Sequence, residues 1–183
     1  MRYFIAIFSV LLFLNSCGQD VTVKPKAMLH LQYPEPVYKP VDFGCPFSFE
    51  INSLAKVNKK QNCWVNLEYS DMKATLHLTY REVNNNLDSL LFDAQKLTYD
   101  HTIKASTIFE QPRVDSINDV YGMLYMINGN AATSTQFYAT DSLKHFVTGS
   151  LYFRSKPNFD SILPAISYLR EDVRHIMESI KWK

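Results

Sequence analysis

Alternating apolar and polar positions predict a β-hairpin near the middle of the chain. In Ala74–Tyr80, alanine, leucine and tyrosine alternate with threonine and histidine, which is typical of a half-buried strand. The apolar stretch Trp64–Tyr69 precedes it, and Ser70 and Asp71 supply the turn between the two strands. His77 falls on the polar face, so we expect a solvated strand histidine there rather than a ligand.

The next segment changes to a helical period. Apolar positions recur at three- and four-residue steps, which predicts an amphipathic helix over Leu87–Lys104. Asn86 is the expected N-cap, and Asp88 lies in the first turn, where an acidic side chain interacts favourably with the helix dipole. His101 falls on the apolar stripe, and we expect it to be packed and hydrogen-bonded rather than a ligand.

Four β-prone stretches follow this helix: STIFEQ, VYGMLYMI, STQFYAT and HFVTGSLYF. The second and the fourth are apolar on both faces, which favours positions at the centre of a sheet. The turn residues Asn128-Gly129-Asn130 and Asp141-Ser142 stand between strands and indicate a meander.

The last segment predicts a long C-terminal helix. Its apolar stripe runs from Ile162 to Ile180, with Pro164 in the tolerated first turn. Two strands, a helix, four strands and a helix predict an α+β fold, in which a mainly antiparallel sheet is covered by two helices. This order of elements looks like that of the Mog1/PsbP-type α-β-α sandwich.

The first residues have the pattern of an export signal. Arg2 supplies a basic start, Tyr3–Leu14 an apolar run, and Ser16 a small residue before Cys17. The run is too short for a transmembrane helix, which needs about 20 apolar residues. The order LNSC ending at Cys17 resembles the lipobox of bacterial lipoproteins. We expect residues 1–16 to be removed and Cys17 to carry fatty acids such as palmitate; a plain signal peptide is the alternative.

The segment after the lipobox is rich in proline. Five of the eight prolines fall between Gly18 and Pro46, which excludes a helix there. We expect a tether over residues 17–27 and a single domain over residues 28–183. Within that domain, residues 28–46 are expected to form an extended strap, with an edge strand at Met28–Tyr33.

Composition narrows the class of partner. Removal of residues 1–16 from the 183 leaves 167, which is enough for one domain with a core. Lys and Arg total 19 against 18 Asp and Glu, and loss of Arg2 makes the two counts equal. This balance gives no indication of nucleic acid or another polyanion as a partner.

Three cysteines are present, and Cys17 is assigned to the lipid. Cys45 and Cys63 then form an even pair in an exported chain, which favours a disulfide. Two free buried thiols and a metal pair are the alternatives, but no histidine or further cysteine stands at zinc-like spacing to either residue.

The sequence contains no catalytic signature. It lacks the G-x-S-x-G, H-E-x-x-H, C-x-x-C, P-loop and G-x-G-x-x-G motifs, and its five glycines are too few for a phosphate cradle. The histidines stand far apart, at His30, His77, His101, His145 and His175. We therefore expect no enzymatic activity, no metal and no cofactor, and we assign no catalytic or ligand-binding residue. The aromatic content of 14% fits a β-rich core or a surface for a protein partner.

Several long stretches carry a family resemblance over essentially the whole chain. They are CPFSFE, QNCWVNLEY, YREVNNNLDSLLFDAQKLTYDH, YGMLYMINGNAATSTQFYATDS and HFVTGSLYFRSKPNFDSILPAISYLREDVRHIMESIKWK. With these stretches the chain resembles the gliding-motility lipoprotein GldD family of the Bacteroidetes. The resemblance implies an acylated Cys17 and a Cys45–Cys63 pair, and it implies no reaction.

Two hypotheses for the function follow. The resemblance implies a lipid-anchored, non-catalytic component of the cell envelope that acts with other gliding and type IX secretion proteins. The domain is expected to face the periplasm, because only Asp20 supplies negative charge just after the cysteine. The alternative is a periplasmic binding or hydrolytic module that acts on peptidoglycan or lipid. A deep cleft with convergent polar groups favours that alternative, whereas a flat aromatic patch favours the first hypothesis.

Overall fold

The computed structural model describes residues 31–155 and 158–183. The expected signal peptide, Cys17 and the tether over residues 17–27 lie outside these residues. The edge strand predicted at Met28–Tyr33 is wrong for its described part, since Leu31–Tyr33 is irregular.

The described residues form ten strands and two α-helices, and every strand pair is antiparallel. In chain order they are β1 Tyr38–Val41, β2 Phe47–Asn52, β3 Lys56–Lys59, β4 Val65–Tyr69, β5 Ala74–Glu82, α1 Leu87–Tyr99, β6 Ala105–Asp115, β7 Val120–Gly129, β8 Thr133–Thr140, β9 His145–Phe153, α2 Phe159–Glu178 and β10 Lys181–Trp182. The predicted α+β class with an antiparallel sheet and two helices is confirmed. Similarity to the Mog1/PsbP sandwich stays a prediction.

Seven strands form the main sheet, in the order β3-β4-β5-β9-β8-β7-β6. The predicted hairpin is confirmed as β4 and β5, and the predicted meander as β6 to β9. The stretch HFVTGSLYF is the central strand β9, as predicted. The prediction for VYGMLYMI is wrong, because β7 lies next to the edge strand β6, and α1 rather than a central position explains its apolar second face.

Part of the predicted strap is a strand. β1 pairs with β2, and β2 also pairs with the short C-terminal strand β10, so these three form a second, smaller sheet. β2 itself was not predicted, although FSFEIN alternates cleanly between buried Phe47, Phe49, Ile51 and more polar residues.

The elements stack in three layers around the main sheet. On one face, α2 and the small sheet pack against alternate residues of the main strands, such as Leu76 and Leu151. The opposite face carries Tyr138 and Phe146, which pack against Leu90 of α1. Since successive residues of a strand point to opposite faces, Phe146 and its neighbour Val147 serve the two different layers.

The first helix is shorter than predicted. α1 ends at Tyr99, and a 3₁₀ turn over Asp100–Ile103 replaces the last predicted turn. His101 therefore lies in this turn. It is half-buried, as expected of a packed residue, but its buried Nε2 has no hydrogen-bond partner among the described residues. Burial lowers the pKa of His101 below its ordinary value.

The position of Pro164 in the C-terminal helix differs from the prediction. α2 begins at Phe159, so Pro164 lies in the second turn and not in the first. The predicted apolar stripe is confirmed for its central residues, which are buried: Ala165, Ile166, Leu169, Val173, Ile176 and Met177. Asp172 lies on the same stripe and is the one charged residue among the buried residues of this helix.

Candidate functional site

The four histidines of the described residues have separate surroundings. His145 is stacked on Trp182 and His175 on Tyr38, while His77 contacts Asn66. Within residues 31–155 and 158–183, no group of three or more His, Cys, Asp or Glu side chains is arranged to hold a metal ion. The structure thus directs attention to three other features: a buried carboxyl, an open polar sheet face and an aromatic surface at the loop ends.

The buried carboxyl belongs to Asp172, whose side chain is almost fully enclosed at 1% exposure. Its Oδ1 accepts a hydrogen bond of 2.8 Å from the Tyr38 hydroxyl, and its Oδ2 accepts one of 2.9 Å from Asn52 Nδ2. The buried Tyr69 hydroxyl lies near the same carboxyl, although its geometry falls short of a hydrogen bond. The contacts join the strap strand β1 and β2 to α2.

The same contacts continue to the surface. The Tyr38 ring is stacked on His175 with 3.6 Å between ring centroids, and His175 Nε2 lies 2.8 Å from a Glu50 carboxylate oxygen. Burial raises the pKa of Asp172 above its ordinary value, and the hydrogen bonds from Tyr38 and Asn52 oppose this shift without cancelling it. These contacts hold β1 and β2 on α2.

The raised pKa predicts a pH-dependent stability. Asp172 binds its proton more tightly in the folded chain than in the unfolded chain, where the pKa of an aspartate is about 3.9. Its contribution is therefore full below that pH and is lost as pH rises through the folded pKa. We expect Asp172→Asn to remove this loss, so that urea unfolding shows a smaller decline in unfolding free energy with pH than the wild type.

Asp93→Asn is the matched control, because Asp93 is exposed on α1. It should retain the wild-type pH dependence. If the unfolding free energies of the wild type and Asp172→Asn changed with pH in parallel, Asp172 would not be the source of the pH dependence.

A row of polar side chains crosses one face of the main sheet in exact register. Neighbouring strands place one polar residue opposite the next, and we call these seven residues the polar row: Asn58, Asn66, His77, Ser150, Gln136, Tyr125 and Glu110. α1 covers the last three, since Thr98 Oγ1 donates a 2.7 Å hydrogen bond to Gln136 Oε1 and Tyr99 contacts Tyr125 and Glu110. The first four lie on the half of the face that α1 leaves open.

An open depression of about 1020 Å³ lies over this uncovered half. Its lining includes Trp64, Asn66, His77 and Thr79, together with Lys59 at the end of β3 and Lys60 in the loop that enters β4. Trp64 is 48% exposed, although it is one of only two tryptophans in the chain. The depression is open rather than a deep cleft, its lining combines polar and apolar side chains, and no carboxylate lines it among the described residues.

Two side chains of the row are oriented by a mutual hydrogen bond. His77 Nδ1 lies 2.9 Å from Asn66 Oδ1. Because an amide oxygen only accepts, Nδ1 carries the proton and Nε2 presents a lone pair. Burial, and secondarily Arg154, lower the pKa of His77, so the ring is neutral at pH 7. The pair therefore presents an acceptor at His77 and the Nδ2 donor of Asn66 side by side.

The third feature is a surface at the ends of the meander loops, which we call the loop-end surface. Its residues are Ile117, Tyr121, Leu143, His145 and Trp182, and they border a depression of about 720 Å³. Ile117 is 92% exposed and Leu143 is 76% exposed. The Trp182 indole donates a 2.9 Å hydrogen bond to the Asp119 carbonyl and stacks on His145, so these two rings are held in place. The apolar tips of this surface, Ile117 and Leu143, are exposed.

The sulfur atoms of Cys45 and Cys63 are joined in a disulfide, with 5.7 Å between the Cα atoms. The bond connects the end of the strap to the loop before β4. In that loop Asn62 and Cys63 both have left-handed backbone conformations, with φ of 55° and 58°. Non-glycine residues rarely adopt this region, so the covalent link holds a strained turn that positions Trp64.

We predict that this bond exists in the purified protein. Non-reducing mass spectrometry should find a peptide that joins Cys45 to Cys63. Loss of the bond in Cys45→Ala/Cys63→Ala should lower the free energy of unfolding by roughly 3 kcal/mol, because the unfolded chain regains loop entropy. Two thiols that alkylate readily in the native, non-reduced protein would contradict the prediction.

Comparison with known protein families shows to which family the chain belongs. A family model described as gliding motility lipoprotein GldD matches residues 18–182. The chain belongs to this family. Among curated proteins it has no match. Membership in the GldD family associates the chain with gliding motility and with the lipoproteins of the cell envelope. In the described residues, neither helix has the length and hydropathy needed to cross a bilayer.

The sequence-based reasoning on sites has a mixed outcome. The prediction that His77 lies on the polar face is confirmed, since the side chain is exposed on β5. Cys17 lies outside the described residues, so its acylation stays a prediction. The buried Asp172 was missed, although its position between Leu169 and Ile176 on the apolar stripe was a readable signal.

Proposed function

We propose that the chain is a lipid-anchored, non-catalytic component of the gliding and type IX secretion machinery, held in the envelope through Cys17 and acting through contacts with other envelope proteins. The family match over residues 18–182 carries this proposal. The mature chain starts at Cys17, residues 17–27 form the tether, and the domain over residues 28–183 faces the periplasm.

The loop-end surface supports contact with proteins as the mode of action. Interfaces combine a packed aromatic centre with exposed apolar side chains, and both are present at Trp182, Ile117 and Leu143. The surrounding charges are mixed, since Lys144 and Lys181 stand beside Asp119 and Asp141. A surface with both signs of charge fits a protein partner better than a membrane or a polyanion.

The proposal is tested by co-purification from detergent-solubilised envelopes. The wild type should recover other gliding or secretion proteins. Ile117→Asp/Leu143→Asp should lose them, because two charges replace the apolar tips and must be desolvated in the complex. Both side chains are exposed, so the fold should be unchanged.

The matched control is Phe92→Asp/Ile103→Asp, which replaces two other exposed apolar residues on and after α1. This variant should recover the partners as the wild type does. Equal recovery with both double variants, or equal loss, would contradict the assignment of the loop-end surface. Absence of any gliding or secretion protein with the wild type would contradict the proposed function itself.

The open polar face favours a binding role in addition to these contacts, which is the binding part of the alternative hypothesis. Its depression lies over β4 and β5 and shares no lining residue with the loop-end depression, which lies at the loops of β6 to β9.

A further inference from the structure

The depression over the open half of the polar row is lined by groups that suit a saccharide. It combines one exposed indole, that of Trp64, with amide, imidazole and hydroxyl side chains of Asn66, His77 and Thr79. Sugar hydroxyls both donate and accept hydrogen bonds, and they pair best with side chains that do the same. We propose that this depression binds a glycan that carries carboxylate groups.

Trp64 supplies the stacking surface. The C–H faces of sugar rings are apolar and pack on aromatic rings, and an exposed indole gains burial from such a contact. Trp64 and Asn66 are two residues apart in extended chain, so both project to the same face. The backbone at Trp64 is held in place, because Lys60 N donates a 2.7 Å hydrogen bond to the Trp64 carbonyl and the neighbouring Cys63 is bonded to Cys45.

The Asn66 and His77 pair supplies the hydrogen bonds. Their mutual contact leaves the Nδ2 donor of Asn66 and the Nε2 acceptor of His77 side by side on the open face. A hydroxyl pair on one sugar ring offers the complementary acceptor and donor. The register extends the same face to Asn58 and Ser150 on the two flanking strands, which provides further polar groups along one line for the next ring of a chain.

Charge selects an acidic glycan over a neutral one. The lining contains Lys59 and Lys60 and no carboxylate among the described residues. Glu68, on the same face beside Asn58, is paired with Arg154 at 3.7 Å, which offsets its charge. Lys59 Nζ already contacts the Phe43 carbonyl, whereas Lys60 is exposed on the same rim as Trp64. An exposed ammonium group attracts a carboxylate modestly, and salt screens the attraction.

This ligand site goes beyond the proposed function and is independent of it. It uses β3, β4 and β5, whereas the contacts with envelope proteins are assigned to the loop-end surface. Carboxylate-bearing glycans have two sources in an envelope, namely peptidoglycan, whose amino sugars bear peptide stems with free carboxylates, and acidic polysaccharides. Both sources present the same groups to the site, namely sugar hydroxyls and carboxylates.

The test is calorimetric titration of the full chain in a detergent without a sugar head group. The probes are muropeptides from digested peptidoglycan, an oligogalacturonide, and a neutral cello-oligosaccharide of equal length. At least one acidic probe should bind with saturation and more tightly than the neutral one. Muropeptide binding alone identifies peptidoglycan as the source, and binding of the oligogalacturonide identifies acidic polysaccharide in general; either supports the proposal.

Variants locate the site. Trp64→Ala should weaken binding by about tenfold or more, as expected for an aromatic anchor, and Trp64→Phe should restore part of the loss. Lys60→Gln should weaken acidic probes by about twofold to fivefold at low salt and leave the neutral probe unchanged. Lys144→Gln, at the loop-end depression, is the matched control and should bind as the wild type does.

The proposal is overturned if no acidic probe binds, if the neutral probe binds equally well, or if Trp64→Ala binds like the wild type. None of these results bears on co-purification of envelope proteins, so failure of this site and failure of the proposed function are distinguishable. Circular dichroism of each variant shows whether the fold is retained, and Trp64→Phe keeps the test valid if the alanine variant unfolds.

Discussion

A chain cut before Asn158 is expected not to fold. The cut removes α2 and β10, and with them six large side chains that are buried in the core: Ile166, Leu169, Val173, Ile176, Met177 and Ile180. Burial of each contributes about 1.5–3 kcal/mol, and the total matches the whole stability of an ordinary domain, about 5–15 kcal/mol. The cut also leaves Tyr38 and Asn52 without the Asp172 carboxyl. Circular dichroism and amide NMR spectra should show an unfolded chain, and motility should be lost.

Removal of only Lys181–Lys183 is the control for this prediction. It deletes β10, whose Trp182 is half-buried against Phe47, but retains all of α2. This chain should fold with reduced stability. A cooperative unfolding transition in the longer truncation would show that the main sheet is stable without the helix, which the packing does not allow.

The second large effect concerns the anchor. Cys17→Ser should abolish fatty-acid labelling completely, because serine lacks the thiol to which the lipid is attached. The variant should accumulate as precursor or appear in soluble fractions, and cells that carry it should fail to spread. Ser16→Ala keeps a small residue before the cysteine and should be labelled normally. Labelling that persists in Cys17→Ser would place the lipid elsewhere and contradict the anchor.

Local patterns were sufficient for most of the main sheet and both helices. Alternation in Ala74–Glu82 and the apolar stripe around Leu169 are strong because each element buries one face. The boundaries were less predictable. Pro164 is accommodated inside α2 because about four further turns follow it and pack on the sheet. Local propensity does not reveal such tertiary support.

The proline-rich segment was the main error of fold prediction. Pro40 is tolerated in β1 because this is an edge strand of the small sheet, where a missing N–H can face solvent. β10, only two residues long, has no sequence signal of its own, since pairing with β2 defines it. Both strands depend on contacts that are distant in sequence, since β10 pairs with β2 and Tyr38 of β1 donates a hydrogen bond to Asp172 of α2.

The candidate sites depend on strand order, which a single sequence does not reveal. His77 and Ser150 are neighbours only because β5 pairs with β9 across a long connection, and the polar row exists only in that register. Likewise, the exposed Ile117 and Leu143 lie in different loops that the meander brings to one end of the sheet. The sequence shows which residues stand at these positions, but it does not show that they lie close together in the fold.

The central claim is that the protein acts through contacts and performs no reaction, and spreading of cells with single histidine variants tests it most directly. His101→Gln, His145→Gln and His175→Gln, all outside the depression at Trp64, each remove a general acid or base while they keep a polar side chain of similar reach. Each variant is checked for folding, membrane fractionation and co-purified partners. The account predicts that every variant that passes these checks spreads like the wild type. One folded, anchored, partner-bound variant that fails to spread would contradict it, because that result is the mark of a catalyst.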